Sequence, residues 1–78
     1  MAGIDLSSIK KIGKERNTLH DKVITTYSTF IYNGKKYIQF DMFGRPDREN
    51  PGKISQTLQL DEETAKFLIS LLKETFNL

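Results

Sequence analysis

A chain of 78 residues has room for one small domain, residues 1–78, and a core that modest is expected to gain from association of copies. The absence of cysteine excludes disulfides and thiolate metal sites and fits a reducing cytoplasm. No apolar run nears the ~20 residues of a membrane span, MAGIDLSSIKKIG lacks the apolar block of a signal peptide, and the formal net charge is only +2. A soluble, cytoplasmic protein with no membrane partner is expected.

The charge is unevenly spread. Residues 1–60 hold ten Lys/Arg against six Asp/Glu, and residues 61–78 hold two Lys against four acids. The first sixty residues are therefore the basic part, which favours an anionic partner there.

Residues 1–21 place Ile4, Leu6, Ile9 and Ile12 among Lys10, Lys11, Lys14 and Arg16. Gly13 argues against a long helix. The spacing predicts a short strand over Ser8–Lys14 and a polar loop over Glu15–Asp21. The alternative is a flexible basic arm, residues 1–21, that orders on binding.

Lys22–Tyr32 is rich in Val, Ile, Thr, Tyr and Phe, the composition of a strand. Asn33-Gly34 follows, the pair best suited to a two-residue type I′ turn, where both residues take positive φ. Lys35–Phe43 is then the return strand. That turn sets the register: Tyr32 opposes Lys35, Phe30 opposes Tyr37, Ser28 opposes Gln39 and Thr26 opposes Asp41. Alternation puts all of these on one side. Val23, Tyr27, Ile31, Ile38, Phe40 and Met42 fall on the other, the expected core face.

Gly44–Gly52, with two prolines, reads as a loop. Lys53–Leu60 is a further strand, with Ile54, Gln56, Leu58 and Leu60 on one side and Ser55, Thr57 and Gln59 on the other. A helix is predicted from Glu62 to Phe76. Asp61 is its N-cap, Glu62 and Glu63 suit the positive end of its dipole, and Lys73 the negative end. Its apolar residues span more than one narrow stripe, so Phe67, Leu68, Leu71, Leu72 and Phe76 are candidates for a homodimer interface beside a contact with the sheet. The expected fold is α+β: an antiparallel sheet of three or four strands with one C-terminal helix on its inner face, in the order β-β-β-β-α.

Large rings on the polar side of a sheet call for an explanation. Phe30, Tyr32 and Tyr37 are candidates to stack on nucleic-acid bases, or else are cross-strand pairs that stabilise the hairpin or are covered by the N-terminal segment. Lys35 and Lys36 at the hairpin tip, Arg45, Arg48 and Lys53 around the long loop, and Lys10, Lys11, Lys14 and Arg16 near the start are candidates for phosphate contacts. A solvated charged rim is the competing reading. Catalysis finds no constellation. His20 is the lone histidine, no second His or Cys completes a transition-metal site, and no glycine-rich GK[ST] loop is present. No cofactor, metal or enzymatic activity is expected.

The stretch YIQFDMFGRPDRENPGKISQTLQLDEETAKFLISLLKETF, residues 37–76, resembles the C-terminal part of the positive-cofactor-four family. These are single-stranded-DNA-binding transcriptional coactivators with small bacterial relatives. The resemblance lies in element order: a strand, a charged Gly/Pro loop, a Gly-Lys step into a strand, and a leucine-acid-acid helix start. It implies an antiparallel sheet with a C-terminal helix, subunits paired through their helices, and aromatic and basic residues offered to unpaired strands. The expected function is a nucleic-acid-binding homodimer, single-stranded DNA preferred and RNA possible, acting in transcription or DNA maintenance. The alternative is a protein-interaction or regulatory subunit using the same aromatic face.

Overall fold

The computed structural model describes residues 1–44 and 53–78. Four strands and one helix follow in order: β1 (Ala2–Gly3), β2 (Thr25–Tyr32), β3 (Lys35–Phe43), β4 (Ile54–Asp61) and α1 (Glu62–Phe76). They form an α+β fold with a single sheet in the order β1-β4-β3-β2.

The hairpin forms where the Asn-Gly pair dictates. Asn33 and Gly34 both take positive φ, 51° and 76°, which is the backbone a type I′ turn needs. Every pair then follows from the turn, from Tyr32 opposite Lys35 down to Thr25 opposite Met42. The pairing runs one step further, where the Phe43 amide donates to the Ile24 carbonyl at 2.9 Å. The strand begins later than its Val/Ile/Thr composition suggests, since Lys22 and Val23 lie outside it.

β4 pairs antiparallel with β3, setting Ile38 opposite Leu60, Phe40 opposite Leu58 and Met42 opposite Gln56. The next pair is Phe43 with Ile54, so Ser55 is an extra residue, a bulge whose hydroxyl donates to the Met42 carbonyl at 3.1 Å. The helix starts and ends as its sequence signals predict. The Asp61 carboxylate accepts from the Thr64 amide at 2.8 Å, and Asn77 closes the last turn in the left-handed region with its amide on the Lys73 carbonyl.

Two expectations need correction. No strand forms over Ser8–Lys14. Instead, Ala2 and Gly3 lie beside Leu58 and Gln59 as β1, and the Ile4 amide extends the contact to the Gln59 carbonyl at 3.2 Å. Asp5 then captures the Ser7 amide and hydroxyl and turns the chain into a 3-10 turn over Leu6–Ser8, which ends the extended run. β1 is parallel to β4, so the sheet is mixed and not wholly antiparallel.

The apolar side of the sheet is only partly covered. Leu60 is the buried apolar side chain among the described residues, with Thr64 of the first helical turn buried near it in the chain. Helix–sheet contact is concentrated on β4. Ile38, Phe40, Met42 and Leu58 are half-buried, while Tyr27 and Ile31 are each 71% exposed. The radius of gyration, 14.9 Å, exceeds the roughly 11.5 Å of a compact chain this long. The helix therefore closes one corner of the apolar face and leaves the rest open.

Candidate nucleic-acid interface

The polar face is ordered in rows across the sheet. Tyr32 and Lys35 form the row at the turn. Phe30, Tyr37 and Asp61 form the next, then Ser28, Gln39 and Gln59, then Thr26, Asp41 and Thr57. Alternation within each strand sends these side chains to one side.

The second row carries the feature of most interest. The Phe30 and Tyr37 rings stack with centroids 5.3 Å apart and planes 14° from parallel, a favourable offset arrangement for such a pair. Phe30 is 37% exposed and Tyr32 64%; Tyr37 is half-buried. The rings stand on the face opposite Leu60, the buried apolar side chain. On the opposite face, Tyr27 and Phe40 form a second cross-strand ring pair, tilted by 48° at 6.5 Å.

Below the rings lies a hydrogen-bonded polar patch. The Thr57 hydroxyl donates to the Asp41 carboxylate at 2.8 Å, and the Gln39 amide donates to both its oxygens at 3.0 and 3.2 Å. The Gln59 amide in turn donates to the Gln39 carbonyl oxygen at 2.8 Å. Four side chains from β3 and β4 are thus linked, Gln59 to Gln39 and both Gln39 and Thr57 to the Asp41 carboxylate. The composition of the chain gives no sign of this. The hairpin turn aligns β2 with β3, but the long connection from β3 to β4 leaves the pairing of Asp41 with Thr57 open in the sequence. Alternation alone places both on the polar face.

Asp61 closes the upper row. The hydrogen bond from the Thr64 amide, with the Lys35 ammonium adding to it, holds its carboxyl below the usual carboxylate range. Lys35 and Asp61 are therefore neighbours in charge, and the basic character of the turn is partly offset.

The candidate cations do not form one cluster. Lys35 shares the ring face. Lys36, opposite Ile31, belongs to the apolar face. Lys53 is exposed just before β4, and Lys10, Lys11, Lys14 and Arg16 are exposed along an irregular segment. Arg45 and Arg48 lie outside the described residues. On α1, Phe67, Leu71, Leu72 and Phe76 are exposed and Leu68 is half-buried.

Among the described residues no group of three His, Cys, Asp or Glu is placed to hold a metal ion, and no helix is long and apolar enough to cross a membrane. The fold and this face define a small α+β domain whose mixed sheet offers a ring pair above a polar network. No family model, no curated protein and no solved structure matches the chain. The resemblance of residues 37–76 to the positive-cofactor-four pattern therefore rests on element order alone.

Proposed function

We infer that the chain is a non-enzymatic nucleic-acid-binding module that prefers single-stranded DNA, works in transcription or DNA maintenance, and acts as a homodimer joined through α1. One observation carries this reading: the stacked Phe30–Tyr37 pair on the polar side of the sheet, with Tyr32 and Lys35 in the adjacent row. An unpaired base has a π-face to set against such a platform, each stacked base contributing about 1–3 kcal/mol. A duplex hides those faces, which favours single strands. The Asp41 carboxylate repels phosphates, so the backbone of the strand keeps away from it and follows the turn end of the face, where Lys35 is exposed. The exposed apolar side chains of α1 support the helix-to-helix contact between copies.

Fluorescence anisotropy with a labelled oligonucleotide at two salt concentrations tests it. Binding should weaken as salt rises. Phe30→Ala with Tyr37→Ala should cost about 1–3 kcal/mol of affinity, roughly a 5- to 160-fold loss. Absence of binding at low salt, or full binding by the double variant, refutes the reading.

A second reading has one observation in its favour. Asp41 and Asp61 sit on the same face as the rings and lower its attraction for a polyanion. A protein-interaction or regulatory subunit using that face would bind with little dependence on salt.

A further inference from the structure

The outer edge of β2 is unusual for an edge strand. β2 ends the sheet, and no described strand lies beyond it. Its sequence, TTYSTFIY, has no charge, no proline and no glycine, and all eight residues are exposed. Natural edges of this length are normally blunted by Lys, Pro, a bulge or a cover, because free N–H and C=O groups template pairing with another strand. The bulge of this sheet lies on β4 instead, at Ser55.

The hydrogen-bond phase of β2 is fixed. The two-residue turn makes Tyr32 and Lys35 a hydrogen-bonded pair, and the bond from the Phe43 amide to the Ile24 carbonyl has the same phase. Even-numbered residues therefore direct their backbone groups to β3. Thr25, Tyr27, Thr29 and Ile31 direct theirs outward, and their side chains stand on the apolar face.

We propose that β2 pairs antiparallel with β2 of a second copy about a two-fold axis through Ser28, joining two sheets into one. Symmetry makes the strand its own complement. Residues opposite each other in a sheet face the same side, and a two-fold axis normal to the sheet keeps apolar with apolar and polar with polar. With Ser28 opposite the partner's Ser28, Tyr27 meets the partner's Thr29 and Thr25 meets the partner's Ile31. This register pairs all four outward-facing residues of each strand. It brings the exposed Tyr27 and Ile31 of both copies onto one continuous apolar surface. A second copy fits this edge better than a charged peptide does, because the strand is neutral from end to end. The contact is separate from the helix interface and does not depend on nucleic-acid binding. With both in use, two kinds of self-complementary contact build a closed tetramer or an open array.

The chain has no cysteine, so single substitutions read the register directly. Ser28 is the self-opposed, non-hydrogen-bonded pair, with Cα atoms ~4.5 Å apart, inside the range a disulfide spans. Ser28→Cys should form a disulfide-linked dimer in high yield under mild oxidation. Thr26→Cys lies on the same face but four residues, roughly 13 Å along the strand, from its counterpart, and should stay monomeric on a non-reducing gel. Equal yields from the two variants, or none from either, overturn the proposal. Amide exchange gives an independent reading on the unmodified chain. The amides of Tyr27 and Thr29 should exchange more slowly as protein concentration rises. Rapid exchange at a concentration where light scattering reports an oligomer assigns that oligomer to another surface and also overturns the proposal.

Discussion

The two faces of the sheet are finished to different degrees. On the polar side, one chain supplies both members of each contact: Phe30 has Tyr37, Asp41 has Thr57 and Gln39, and Gln39 has Gln59. On the apolar side, Leu60 is buried while Tyr27, Ile31 and most of the apolar helix remain in water. Polar partners are short-range and can be met by the next strand over. An apolar surface is covered only by another layer, and a single 15-residue helix attached mainly to β4 is too small a layer for a four-strand sheet. The unfinished side is where assembly is expected, and the finished side is free to meet a ligand.

Removing what burial there is tests that contrast most strongly. Leu60→Ala should destabilise the fold by about 2–4 kcal/mol, seen as a lower urea midpoint with little change in slope. A loss below about 1 kcal/mol would show that the corner under the first helical turn is not where stability resides.

Leu72→Ser with Phe76→Ser probes the open part of the same side. Both residues are exposed in the single chain, so the stability of the monomer should change by only about 0.5 kcal/mol. Self-association should weaken tenfold or more, since buried interface anchors each cost above about 1 kcal/mol when truncated. Sedimentation equilibrium measures this. Unchanged association would assign α1 to some other partner.

On the finished side, Asp41→Asn keeps an acceptor for the Thr57 hydroxyl and removes a charge. A phosphate ~7 Å away in water then gains about 0.6 kcal/mol, a two- to threefold rise in oligonucleotide affinity. A fall in affinity would mean that the carboxylate touches the bases and does not repel the backbone.

The smallest effect belongs to the junction between the two faces. Folding lowers the pKa of Asp61, so its contribution is complete at neutral pH and fades as pH drops below the ordinary carboxylate range. Asp61→Asn retains the cap and should flatten the acid limb of the stability curve. An unchanged limb would show that other carboxylates govern acid unfolding.

Asn33-Gly34 and Asp61 were legible because each acts on its own neighbours. Positive φ at two adjacent residues leaves the hairpin one register, and a carboxylate before a helix meets an amide three residues on. The pairing of Phe30 with Tyr37 followed from counting outward from the turn. β1 was not legible: two small residues with no alternation pair with a strand more than fifty positions away, and Asp5 cuts short the extension that Ile9 and Ile12 suggest. The Asp41–Thr57 bond was equally hidden, since the connection between their strands is too long to fix an alignment.

The hairpin, its register, the limits of the helix and the side of the sheet on which the rings stand could all be read along the chain, because turn stereochemistry, side-chain alternation and capping act over a few bonds. Three features came only from the way distant strands meet: β1 runs parallel to β4, Asp41 is bonded to Thr57 on the polar face, and β2 is left at the edge of the sheet beside an uncovered apolar surface. Those outcomes depend on which distant strands meet and how much area one helix can cover, and nothing in the local chain encodes either.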